Sequence, residues 1–115
     1  VAEYLAALRK GMHGVAGDDG TATKFFRDAE YDDVRNNMGA KTGTAEKTTI
    51  DLENNAWMVA FAPFDDPQIA VCVYIPHGYS GSYCSITIRE VLNYYLEHMG
   101  LDGEDTMPPS NSLAY

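Results

Sequence analysis

Two apolar runs constrain what this chain can fold into. Ala56–Ala62 (AWMVAFA) and Ile69–Ile75 (IAVCVYI) are almost wholly apolar and rich in β-branched or aromatic residues. Pro63 closes the first and Pro76 the second. Runs this short, with this composition and these stops, read as strands rather than helices. A strand with apolar side chains at successive positions is one covered on both faces. The connection, Phe64-Asp65-Asp66-Pro67, is short and turn-like, so the two strands are expected to form an antiparallel hairpin.

The flanking segments complete a small unit. A further strand is expected from about Asn37 to Thr48, joined to the hairpin by a polar loop over Thr48–Asn55. Val1, Leu5, Leu8 and Met12 recur at helical spacing, so residues 1 to about 13 form an amphipathic helix that Gly11 and Gly14 bring to an end. Ile86, Ile88, Val91, Leu92, Tyr95, Leu96 and Met99 lay an apolar face on a closing helix, with Ser85 or a neighbour as its cap and Gly100 at its end. Between the first helix and the first strand, Gly17-Asp18-Asp19-Gly20 is a turn cluster. Thr23–Arg27 reads as a short helix or turn, and Asp32–Asn37 as polar loop.

The fold class is therefore α+β: a three-stranded antiparallel meander packed with N- and C-terminal helices. Residues 1–101 form this unit, and residues 102–115, with Pro108-Pro109 amid Ser and Asn, are expected to be a disordered tail. Two strands apolar on both faces need more cover than two helices supply. A layer is expected to be missing from one side of the sheet. The chain also opens without Met, in mid-helix, as a piece of something longer would.

Composition removes several functions. The formal charge is -9 with only eight Lys and Arg, which is unsuited to nucleic-acid phosphates. The acidic groups, such as Asp18-Asp19 and Asp65-Asp66, lack the alternating oxygen spacing of a calcium loop. Cys72 and Cys84 are too few for a disulfide framework and are expected to be small buried thiols. His13, His77 and His98 stand singly. No metal and no cofactor is expected, and no segment reaches the length of a membrane span.

One stretch carries chemistry: Met38-Gly39-Ala40-Lys41-Thr42-Gly43-Thr44-Ala45-Glu46. It is not a P-loop, because Val34 stands where that motif needs its first glycine and a strand follows where a helix should. As a strand of a serine acyl-transferase its residue types make sense. Lys41 supplies a fixed positive charge beside a nucleophile. Thr42 and Thr44 offer hydroxyls to a substrate carboxylate, and Gly43 leaves room for a substrate backbone laid along the strand. One backbone N–H of this strand can face a developing oxyanion.

The wider order, Gly11-Met12, Gly20-Thr21-Ala22, Lys41-Thr42-Gly43-Thr44-Ala45, Trp57 through Pro63, Asp66-Pro67 and the closing helix, resembles the C-terminal part of the penicillin-binding protein transpeptidase domain, most like the high-molecular-weight class B enzymes. The resemblance covers roughly residues 1–99. It implies a five-stranded antiparallel sheet between helices, of which these strands are the third, fourth and fifth. It assigns Lys41 and Thr44 to catalysis and Thr42, Gly43 and Thr44 to substrate binding, with Trp57 as core support behind the motif strand. The implied partners are the peptidoglycan stem peptide and β-lactams, bound through a full-length parent anchored on the extracytoplasmic face of the bacterial membrane.

That family also needs a serine in SxxK and an SxN triplet, both upstream. The serines here are Ser80, Ser82, Ser85, Ser110 and Ser112, and none heads either motif. Only 40 residues precede Lys41. The chain alone is expected to be inactive, one wall of an active site without its nucleophile. Ala40 stands where many relatives have glycine, and Tyr83-Cys84-Ser85-Ile86 where they often have small residues and proline. The same fold also serves serine β-lactamases, D,D-carboxypeptidases and non-enzymatic penicillin-sensing modules, which remain the alternatives. The third strand, whose family partner lies upstream, is expected to have an unpaired edge through which the chain self-associates.

Overall fold

The structure is a computed structural model that describes residues 1–46 and 52–99. Helix α1 (Ala2–His13) leads through 3-10 turns at Gly14–Ala16, Thr23–Phe25 and Ala29–Tyr31 into the short helix α2 (Asp32–Asn36). Strands β1 (Gly39–Ala45), β2 (Asn55–Ala62) and β3 (Ile69–Ile75) follow, then a 3-10 turn at Gly81–Cys84 and helix α3 (Ser85–Met99). The three strands form one antiparallel sheet in the order β1-β2-β3. This is the expected α+β meander. The polar-loop expectation for Thr48–Asn55 falls partly, and that for the tail from 102 wholly, outside the described residues.

Side chains alternate across the sheet, and the two faces are treated differently. Ala40, Ala56, Met58, Ala60 and Ala62 are buried on one face. They meet Ile88, Leu92 and Leu96, which recur every four residues along one side of α3 and are buried as well. Phe26, Tyr31, Val34 and Met38 from the segment before β1 complete this core. On the other face Trp57, Val59 and Tyr74 remain 45%, 43% and 48% exposed. The apolar runs therefore belong to strands covered on one face only within the described residues, as a missing layer requires.

Helix α1 forms where the periodicity predicts, but its apolar stripe is not buried here. Leu5 and Leu8 are 56% and 61% exposed. The helix is held by the flank beside that stripe, with Met12 half-buried, at the end of the barer sheet face. The Arg9 guanidinium donates to the Phe64 carbonyl and lies 5.1 Å over the Phe64 ring. The His13 ring lies 4.6 Å from the same ring, and its Nδ1 is 2.9 Å from the Met38 carbonyl. Phe64 in turn stacks on Phe61, whose ring fills the place a side chain at Gly39 would take, 2.4 Å from its Cβ.

Three local expectations are corrected. Asp32–Asn36 is a helical turn rather than loop, with Asp32 and Asp33 in its first turn, where acidic groups suit the backbone dipole. Cys72 is exposed, because β3 turns it to the barer face; Cys84 alone is buried, and burial pushes its thiol pKa up. Ser85 does not cap α3. It is buried and its Oγ lies 3.2 Å from Met58 Sδ. Ser80 caps the 3-10 turn Gly81–Cys84 that runs into α3, where its side chain accepts from the Ser82 N–H.

Candidate active site

Strand β1 lies at an edge of the sheet and pairs Lys41 with Val59, Thr42 with Met58, Gly43 with Trp57 and Thr44 with Ala56. Alternation sends Lys41 and Gly43 to the barer face and Thr42 and Thr44 to the face of α3. The backbone orientation follows from a close approach by Gly81. A Cβ built there would lie 2.3 Å from Gly43 O, 2.8 Å from Gly43 N and 2.7 Å from Trp57 O. Those atoms surround one point only if Gly43 and Trp57 exchange N–H···O bonds across the ladder. The N–H and C=O groups of their neighbours Thr42 and Thr44 are then turned to the open edge.

The side chains gather along that edge. Lys41 curls back so that its Nζ donates to the Thr42 carbonyl at 2.6 Å. Thr42 Oγ1 lies 3.2 Å from Thr21 Oγ1. Thr44 Oγ1 accepts from the Gly81 N–H at 3.0 Å. One strand edge thus collects an ammonium, three hydroxyls and outward backbone groups. That is a donor-rich strip matched to an extended, anionic ligand.

All four residues singled out on β1 are therefore together. Gly43 is not forced by its immediate neighbours: a Cβ would meet Trp57 Cδ1 at 3.6 Å, an ordinary contact. Trp57 differs from expectation. It is not core support but a half-exposed ring beside Gly43, 5.0 Å from Tyr74. Two contributors were not foreseen. Thr21 arrives from the Gly20-Thr21-Ala22 turn, whose tightness is visible at Gly20, where a Cβ would sit 2.1 Å from Val15 O. Gly81 arrives from the loop before α3.

No described serine stands ready as a nucleophile. Ser80 and Ser82 oxygens lie 3.1 Å apart, and Ser85 is buried against Met58. Among the described residues no group of three His, Cys, Asp or Glu converges as metal ligands would. No helix among them is long and apolar enough to cross a membrane.

Residues 2–93 match the penicillin binding protein transpeptidase domain. The peptidoglycan D,D-transpeptidase MrdA of Escherichia coli is 30% identical over 125 residues, covering 96% of this chain and 18% of that protein. Penicillin-binding protein 2B of Streptococcus pneumoniae is 34% identical over 99 residues, with 82% of this chain and 14% of that protein covered. The structure of the penicillin-binding protein PBP2 from Helicobacter pylori superposes with a TM-score of 0.66 at 30% identity, over 85% of this chain and 17% of that one. The chain thus spans less than a fifth of the length of these relatives.

Proposed function

Since this chain belongs to the penicillin-binding protein transpeptidase family, we propose that it is the C-terminal portion of a peptidoglycan D,D-transpeptidase, with β1 as its substrate-binding and oxyanion strand. The observation that carries this is the outer edge of β1, which no other strand among the described residues covers. It holds the Lys41 ammonium, the Thr42 and Thr44 hydroxyls and, by the pairing pattern, the outward Thr44 N–H.

The chemistry follows from those groups. In the longer protein, a serine supplied by upstream sequence attacks the carbonyl between the two terminal D-alanines of a stem peptide. The terminal carboxylate lies on the Thr42 and Thr44 hydroxyls, which fixes the peptide along the edge. The Thr44 N–H meets the negative charge that develops on the attacked carbonyl; one such donor is worth roughly a hundredfold to a thousandfold in rate. Lys41 keeps positive potential beside the nucleophile and favours proton transfer away from it. Terminal D-alanine leaves, and an amine of a neighbouring strand takes the acyl group. A β-lactam, which presents an acyl carbonyl and a carboxylate in the same relation, acylates the same serine. The parent is placed at the outer face of the bacterial membrane, where this substrate lies.

Labelling with a fluorescent penicillin tests the proposal. The full-length protein is expected to take up label and keep it. The 115-residue chain is expected to take none, because no serine in it heads an SxxK motif. Stable label on the short chain overturns the single-wall account. Rapid release of label by the full-length protein replaces transpeptidase with β-lactamase.

A further inference from the structure

We infer that Gly81 is a positioning residue for Thr44: its backbone N–H fixes the direction in which the Thr44 hydroxyl donates. The inference deepens the reading of β1 given above and rests on it. Gly81 is buried in the loop that leaves β3 and enters α3. That loop is shaped by its own backbone. His77 and Tyr79 both adopt positive φ, at 55° and 68°, and the Tyr79 N–H donates to the Asn54 carbonyl at 3.0 Å. Ser80 caps the following turn. The result is a main chain pressed flat on the β1–β2 ladder at Gly43. Any side chain at Gly81 would be driven into the backbone atoms of Gly43 and Trp57, at 2.3–2.8 Å.

This approach has a chemical consequence. A threonine hydroxyl has one proton to give and lone pairs to receive with. The Gly81 N–H, 3.0 Å away, occupies a lone pair of Thr44 Oγ1. A backbone amide cannot reverse its role, so the Thr44 proton must point elsewhere, away from the loop. A carboxylate accepts and does not donate, so a hydroxyl committed to donation is the form it needs. Thr42 is different. Its partner is the Thr21 hydroxyl, and either oxygen can be the donor. One hydroxyl of the strip is therefore fixed and one is adjustable, and Gly81 makes the difference.

The test has two arms. In the 115-residue chain, amide hydrogen exchange at Gly81 is read for Thr44→Ser and Thr44→Val. Serine is expected to keep the protection and valine to lose about tenfold of it, the scale of one hydrogen bond. In the full-length protein, acylation rates are compared for a β-lactam and for its neutral methyl ester. Thr44→Val and Gly81→Ala are each expected to lower the carboxylate-to-ester ratio about tenfold, and the double variant to lower it no further. Thr44→Ser restores the ratio. Additive losses overturn the inference, as does an equal fall toward both ligands in Gly81→Ala, or unchanged Gly81 exchange in Thr44→Val. If Gly81→Ala does not fold, the serine and valine variants decide the matter through exchange and ratio together. If exchange behaves as expected but Thr44→Val leaves the ratio unchanged, the hydrogen bond stands and the carboxylate reading of β1 falls.

Discussion

The two faces of this sheet are built from equally apolar residues and end differently. Met58 on β2 is fully buried against α3, while its neighbours Trp57 and Val59 stay 45% and 43% exposed. The contrast is one of partners rather than composition. A lone exposed apolar residue is ordinary, but Trp57 faces Tyr74 across the β2–β3 ladder and Val59 lies two residues along the same face of β2, so the three make a patch. Strand β1 shares in the division. Thr42 and Thr44 sit on the side that α3 and the Gly81 loop support, and Lys41 and Gly43 on the side left bare. Helix α3 and the Gly81 loop back one face of the strand; the bare face is where the rest of a transpeptidase is proposed to meet the sheet, and the edge of β1 is kept for substrate.

Substitutions on adjacent β2 residues sharpen that contrast most. Met58→Ala is expected to cost roughly 2–5 kcal/mol by urea denaturation, because a fully buried side chain leaves a cavity. Val59→Ala, one residue on, is expected to cost less than about 1 kcal/mol. Equal costs would break the distinction between the faces. A smaller effect concerns association. No strand among the described residues pairs with the outer edge of β3, and Tyr74 and Cys72 lie beside it on the bare face, so the chain is expected to self-associate. Val59→Lys with Tyr74→Lys should shift it toward monomer by light scattering. A chain monomeric without them would count against an adhesive face.

The smallest effect lies wholly within the supported layer and depends on pH. The Tyr31 hydroxyl donates to Glu90 Oε1 at 2.5 Å, and this bond, with burial, pushes the Tyr31 pKa up to about 12 from 10.0. The folded state thus holds this proton more tightly than the unfolded one. The stabilisation is complete below pH 10 and is lost as pH climbs from about 10 to about 12. Tyr31→Phe is expected to flatten that part of the stability profile. An unchanged slope would mean that the bond does not join α3 to the segment before β1.

Much of this was legible in the sequence because it is local. Strand runs, the Pro stops and the three- and four-residue recurrence in α1 and α3 all report nearest neighbours along the chain. What escaped is non-local. An apolar run does not say which of its faces will find cover, so it points to a core Trp57 and a buried Cys72 where the structure leaves both exposed. Thr21 and Thr42 are 21 residues apart, and Gly81 and Thr44 37 apart. No periodicity links such pairs. A glycine between Ser80 and Ser82 was the sole local sign of Gly81, and it has meaning only once the ladder beneath it is known. The α2 helix did have a signal, Asp32-Asp33 at a helix start, which its polar composition concealed.

The most direct measurement is the acylation rate of the full-length protein by a β-lactam with Lys41→Met. Lys41 lies on the bare face, is exposed, and donates only to the neighbouring Thr42 carbonyl among the described residues. A merely solvated lysine there would be expendable. The account predicts a fall of about a hundredfold or more in acylation, with the melting temperature unchanged. Acylation at the unsubstituted rate would contradict it.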